Sequence, residues 1–204
     1  MIRQTSINES IKLDFVSGIR AMMRQDPDII LVGEVRDLPT AEMAFRAAMT
    51  GHQVFSTLHT NSAVGVFPRL LDLGLMPDVL ANHIIGVVAQ RLLRRLCPLC
   101  KEAYAASSME KTILRVPQSE PLTLYRAMGC AHCAGAGYKG RFAAMEILRM
   151  DADLDTLVAE RQPAAHIKQV ALGKGMRLLA DDALRYVHIG HTSLDEVSRV
   201  LDLT

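Results

Sequence analysis

RQDPDIILVGEVRD, residues 24–37, and GHQVFSTLHTN, residues 51–61, decide the fold class of this chain. Each contains a short strand-like run, 29–32 in the first and 54–57 in the second, that opens on apolar residues of the kind found in strands buried inside a parallel sheet. Each run gives way to polar groups. The first leads to Glu34, the second to Thr57, His59 and Asn61. Open parallel α/β sheets bind ligands beyond the carboxyl ends of their strands. The two runs are therefore expected to aim their polar tips at one crevice.

Outward from these runs the pattern alternates. Residues 9–25 read as a helix, with Ile11, Phe15, Ile19, Met22 and Met23 on one face and Pro27 enforcing the break. A second helix is expected over 38–50, capped by Asp37, with Pro39 in its first turn and Gly51 at its end. Residues 2–7 read as a strand followed by a turn at Asn8. Further helices are expected over 62–73 and 78–95, the latter with Ile84, Ile85, Val88, Leu92 and Leu96 along one side. Strand and helix thus alternate up to about residue 96, which is half of a doubly wound α/β domain. The first strand has no linker before it, so the chain is expected to be a segment of something longer.

Residues 97–140 differ in character: four cysteines, three prolines and a glycine-rich stretch mark a small, loop-rich module. A strand is expected over 141–148. Three or four short helices follow from 151, punctuated by Asp151, Pro163, Gly173 and a Ser193/Glu196 capping box. The expected organisation is therefore 1–96 as an α/β core, 97–140 as a cysteine module and 141–204 as a strand with a helical subdomain.

The 204 residues are half hydrophobic and 4% aromatic, with a net charge of +1, so no strong field points to nucleic acid or to a membrane surface. Scarce aromatics also argue against base stacking. Basic residues do gather locally, at Arg91, Arg94, Arg95 and Lys101. No secretory leader is apparent after Met1, and no apolar stretch is long enough to span a bilayer. A cytoplasmic location is expected.

Three features carry chemistry. Glu34, at a strand end, is placed to orient and polarise a water molecule, as nucleotide hydrolysis requires. His59 lies past the second strand beside Thr57 and Asn61, within reach of a terminal phosphate, whereas His52 stands at that strand's start, where a structural role is expected. Cys97-x-x-Cys100 and Cys130-x-x-Cys133 have the spacing of two knuckles around tetrahedral Zn²⁺, a closed structural site. A phosphate loop, G-x-x-x-x-G-K-[ST], does not occur. The dipeptide Gly173-Lys174 is followed by Gly175 and sits among helices.

Together these stretches resemble the traffic ATPases, the motors of type II secretion and type IV pilus assembly. RQDPDIILVGEVRD resembles their Walker B region and TGHQVFSTLHTNSA (50–63) their histidine box. VVAQRLLRRLCPLCK (87–101), the second cysteine pair, GYKGRFAAMEIL (137–148) and SLDEV (193–197) resemble the assembly-side branch with a four-cysteine module. AVGVFPRLLDLGL (63–75) and IIGVVAQRL (84–92) lean toward type II secretion.

The resemblance implies a partial RecA-like core belonging to a hexameric ring. ATP and Mg²⁺ would serve hydrolysis, which drives assembly of pilin-like subunits through an inner-membrane platform protein, with the motor peripheral at that membrane. Glu34 would be the Walker B glutamate, and His52 and His59 the histidine-box pair. Arg36, Thr57 and Asn61 would line the nucleotide or a subunit contact. Cys97, Cys100, Cys130 and Cys133 would hold Zn²⁺. The family's phosphate loop would precede Met1, so this chain alone is expected to hydrolyse ATP negligibly. The rival expectation is a non-catalytic, zinc-containing module that docks on the secretion machinery. No nucleic-acid partner is expected.

Overall fold

A computed structural model describes residues 3–203. They divide into two compact units, one built from residues up to 87 with 148–174, the other from 88–147 with 175–203.

The first unit is organised by a parallel pair, β1 (Ile29–Val32) and β2 (Gln53–Ser56), in the register Ile29↔Gln53 to Val32↔Ser56. The crossover between them is α2 (Leu38–Met49), and α1 (Phe15–Met22) precedes β1. Ile30 and Val32 point inward and pack with Ile19 of α1 and with Met43, Ala44 and Ala47 of α2. Period-2 alternation sends the other residues outward. Ile29 is 59% exposed, Leu31 72% and Phe55 49%. The described residues therefore cover one face of this pair and leave the opposite face apolar and open.

Caps fix the helix ends. Asp14 accepts from the Ser17 N–H, and Asp37 from the Thr40 N–H at 2.8 Å. Gly51 follows α2 at φ +97°, as expected. The helix expected over 9–25 is shorter than its apolar pattern. Lys12 at φ +59° and the Asn8–Leu13 bridge break it, and α1 begins only after the Asp14 cap. Of the strand expected over 2–7, Ile2 lies outside the described residues and 3–7 are irregular. The helix expected over 62–73 is α3 (Val66–Asp72), preceded by bends at 61–63. Next comes α4 (Pro77–Leu80). The same unit contains α6 (Ala152–Ala159) and α7 (Ala164–Gly173), and Asp155 of α6 accepts from the Asn82 N–H at 2.9 Å. Asp151 caps α6 as expected, and its carboxylate and that of Asp153 both bind Lys174.

One expectation is overturned. Residues 78–95 do not form a helix. After α4, Asn82 turns left-handed at φ +67°, and β3 (Gly86–Leu96) follows. Ile84, Ile85, Val87 and Val88 are β-branched and favour the strand. Ala89 and Leu93 are buried, while Val88, Gln90 and Leu92 face out, a period of two that a helical wheel hides. β3 pairs with β6 (Tyr138–Arg149), and the division between the units falls within both strands.

The second unit adds the antiparallel pair β4 (Glu102–Ala105) and β5 (Thr123–Arg126), the short α5 (Ser108–Ile113), α8 (Leu179–His188) and α9 (Leu194–Val200). Leu93, Leu124, Ala144, Leu184, Val187 and Val197 belong to its core. Ser193 caps α9 by accepting from the Glu196 N–H, but Glu196 does not complete the expected capping box. Its carboxylate, with no exposed side-chain surface, instead takes Nε and Nη2 of Arg94 at 2.8 and 2.6 Å, the Arg94 backbone N–H at 3.0 Å, and the guanidinium of Arg199. The Arg94 guanidinium also lies 4.2 Å from the centre of the Tyr138 ring.

Burial pushes the Glu196 carboxyl up, but the bonds from Arg199 and Arg94 outweigh it and hold it at about 2, against an ordinary 4.5. A depressed folded-state pKa stabilises above the unfolded value and is lost as pH falls from 4.5 toward 2. Glu196→Gln removes the buried charge that Arg94 and Arg199 pair with, and because both guanidinium groups are about half exposed and recover solvent the expected cost is on the order of 2 kcal/mol at pH 7. In urea unfolding, the gap between wild type and variant should shrink as the pH is lowered through that window.

Candidate functional site

The parallel register of β1 and β2 brings their carboxyl ends level. It continues one step beyond the strands, where the Val35 N–H donates to the Thr57 carbonyl at 3.0 Å. The Thr57 hydroxyl donates to the Gly33 carbonyl at 2.8 Å, tying the two exits together. Thr57 is thus committed to shaping the loops.

Beyond this clasp stands Glu34, whose side chain retains 23% of its exposure. One carboxylate oxygen contacts the Arg36 guanidinium, and the other lies 3.4 Å from Nε2 of His59. The structure therefore brings Glu34, Arg36 and His59 together. The hydrogen bond from Arg36 holds the Glu34 carboxyl below the ordinary carboxylate range. Partial desolvation works against this, and His59 adds to it. Glu34 is accordingly an anion at neutral pH. Each of its oxygens keeps a further acceptor direction for a water or a metal ligand.

His52 stands apart from this group. It lies immediately before β2, at the opposite end of the strand, where its Nδ1 is 3.0 Å from the Ala47 carbonyl and 3.1 Å from the Thr50 hydroxyl. There it closes the carboxyl terminus of α2. Asn61 is exposed in the bend that follows His59.

The second unit holds the sulfur cluster. The four Sγ atoms of Cys97, Cys100, Cys130 and Cys133 all lie within 4.8 Å of one another. Cys97–Cys130 is 3.9 Å, and Cys100–Cys133 and Cys130–Cys133 are 3.8 Å. These distances exceed a disulfide bond, near 2.05 Å. They match the roughly 3.8 Å edge of a tetrahedron with metal–sulfur arms of about 2.3 Å. The donor set thus fits a four-thiolate Zn²⁺ site with no open position.

Backbone geometry serves the sulfurs. Cys133 accepts N–H bonds from Cys130 and Gly137, both at 3.2 Å, and Cys100 accepts one from Gly129 at 3.3 Å. Burial opposes ionisation of Cys133, yet these N–H groups hold its thiol at about 6, whereas burial pushes Cys100 up to about 12. Gly137 sits at φ +73°, and a Cβ there would lie 2.6 Å from the Ala127 methyl. Only glycine presents that N–H without strain. The Glu196–Arg94–Arg199 cluster is hidden in the sequence because the apolar spacing around Arg94 predicts a helix, whereas Arg94 lies on β3. The signal available was an acid three residues after a serine cap, in a segment otherwise apolar on that side.

A βαβ unit with an acid and a histidine at its carboxyl ends, joined to a four-cysteine unit, defines a class of α/β proteins. Residues 1–199 match the family described as Type II/IV secretion system protein, and the chain belongs to that family. It is 44% identical over 203 residues to the Type II secretion system ATPase E of Vibrio cholerae, covering 98% of this chain and 39% of that protein. It is equally 44% identical over 203 residues to the Type IV pilus assembly ATPase TfpB of Acinetobacter baylyi, covering 98% of this chain and 35% of that one. The chain thus spans about two-fifths of the length of these curated relatives. Among solved structures it is similar to the pilus retraction motor PilT with bound ADP, with a TM-score of 0.62 and 26% identity over 91% of this chain and 43% of that one. ATPase DotB of Yersinia pseudotuberculosis, at a TM-score of 0.67, 20% identity and coverage of 98% of this chain and 43% of that one, shares the fold. Among the described residues no helix is long and apolar enough to cross a membrane.

If Arg36 dominates the Glu34 environment, Arg36→Ala should raise the Glu34 pKa more than His59→Ala does. Carbon-detected NMR titration of the side-chain carboxyl reads both shifts. Equal shifts would contradict the ordering given by the geometry.

Proposed function

We propose that this chain forms the water-activating side of an ATP-hydrolysing secretion or pilus-assembly motor, with type II secretion as the preferred branch. The observation that carries the reading is Glu34 held as an anion between Arg36 and His59 at the joined strand exits. Such a group accepts a hydrogen bond from an attacking water and orients it. Mg²⁺ would supply charge neutralisation at the phosphates. His59 and Arg36, both on exposed loops, fit contact with a terminal phosphate or a neighbouring subunit, and Asn61 lies in the same loop. His52 supports the site from a distance by fixing α2 against β2.

The pattern G-x-x-x-x-G-K-[ST] does not occur in this sequence, so a RecA-like core would draw its phosphate loop from other polypeptide. Zn²⁺ on Cys97, Cys100, Cys130 and Cys133 would be structural and hold the second unit together. A hexameric ring acting on pilin-like subunits at an inner-membrane platform, from the cytoplasmic side, is the assembly this reading entails. It draws support from the related secretion and pilus ATPases.

Residues 1–204 alone are expected to give negligible ATP turnover. Fused in place of the matching segment of the Vibrio cholerae relative, they should restore it. Glu34→Gln in that chimera should lower kcat by about 100-fold or more while ATP binding persists. A chimera that melts cooperatively and binds ATP, yet turns over equally with Glu34→Gln, would overturn the proposal.

A further inference from the structure

Glu34 is held at its backbone as well as at its carboxylate. Two peptide groups flank its Cα, and both are bonded to one residue. The Thr57 hydroxyl donates to the Gly33 carbonyl at 2.8 Å, on the peptide that leads into Glu34. The Val35 N–H, on the peptide that leaves it, donates to the Thr57 carbonyl at 3.0 Å. Turning either Glu34 backbone dihedral rotates one of these peptides against the other, so it breaks a bond to Thr57. The main-chain half of this clasp is available to any residue at 57. The side-chain half needs a hydroxyl. Thr57 is exposed, so core packing makes no demand on its side chain. A hydroxyl carries one proton. The Gly33 carbonyl can only accept, so that proton is given to it, and any other group meets lone pairs on this oxygen. A phosphate oxygen, an acceptor and an anion, gains nothing there. Thr60 is spent in the same way, its hydroxyl donating to the Ser62 carbonyl at 3.1 Å. The threonine hydroxyls on either side of His59 are thus both occupied within the chain.

We infer that Thr57 is a positioning residue for hydrolysis, whose hydroxyl fixes the backbone of Glu34 and does not bind the nucleotide. The inference rests on Glu34 being the water-orienting acid, as proposed above. It parts Thr57 from Arg36 and Asn61, with which the family resemblance groups it as a nucleotide or subunit contact. A general base must lie within about 3.2 Å of the water it orients. Displacing a catalytic group by about 1 Å can cost on the order of 100-fold in rate. Without the Thr57 hydroxyl, the carboxylate is left to Arg36 and His59, whose side chains are 73% and 88% exposed and hold it from mobile stems. The acid is then displaced while the phosphate contacts stay as they were. The effect falls on kcat and spares ATP affinity.

Two measurements test this with the same pair of variants. Thr57→Val keeps the branched shape and removes the hydroxyl, whereas Thr57→Ser keeps the hydroxyl. In the full chain of residues 1–204, carbon-detected NMR titration of Glu34 should show its carboxyl pKa rising toward the ordinary range with valine, as the contacts with Arg36 and His59 loosen, and unchanged with serine. In the Vibrio cholerae chimera, Thr57→Val should lower kcat about tenfold with KM for ATP within about twofold of the parent, and Thr57→Ser should keep about half of the parent kcat or more. If Thr57→Val does not melt cooperatively, Thr57→Ala supplies both readings. An unmoved Glu34 titration, an unchanged kcat, a raised KM with kcat intact, or a serine variant no better than valine would overturn this inference and leave the role of Glu34 standing. A parent chimera without turnover, or one that turns over equally with Glu34→Gln, would sink the reading of Glu34 and this inference together.

Discussion

The parallel register between Ile29–Val32 and Gln53–Ser56 is the constraint on which the candidate site depends. It aligns the two strand exits, and the Val35–Thr57 and Thr57–Gly33 hydrogen bonds extend that alignment past the sheet. Glu34 and His59 come from segments about twenty-five residues apart and would otherwise have no reason to meet. A slip of one residue would turn Ile30 and Val32 out of their packing with α1 and α2. The core in this way enforces the position of the acid. The same dependence explains His52, whose ring secures the helix that joins the two strands.

In the second unit a different economy holds. The described residues leave no buried side-chain nitrogen or oxygen without a partner. Glu196 shows how. A carboxylate with no exposed surface would be costly alone, and here two guanidinium groups and a backbone N–H surround it. The sulfur cluster follows the same rule through glycines whose backbone angles turn N–H groups toward Cys100 and Cys133. Charge and local backbone shape, more than apolar volume, hold these segments in place.

Much of this was legible in the sequence. The two apolar runs, the Asp37 and Asp151 caps, the glycine after α2 and the paired cysteines each act over a few residues, so their meaning is local. The failure at 78–95 has an equally physical cause. Leucines and arginines have good helix propensity, and an apolar residue every third or fourth position fits a helical face. The letters from Val88 to Leu93 do not themselves alternate, and the period of two seen in their burial comes from pairing with β6. Tertiary pairing overrode local preference, as it does for strands in general. Glu196 was misread for the same reason, since its true partner, Arg94, lies 102 residues away in sequence. Glu34 was identifiable as a strand-end acid, but its clamp by Arg36 and His59 depends on loop conformation that no pattern encodes.

The outward row of Ile29, Leu31 and Phe55 has a practical bearing. Because strand side chains alternate, that row can be rewritten with threonine or another β-compatible polar residue without disturbing Ile30 or Val32. The row thus separates solubility from folding. A biochemist seeking a well-behaved sample of these residues has an independent handle there, three positions wide, that leaves the inner packing and the acid at the strand exit alone.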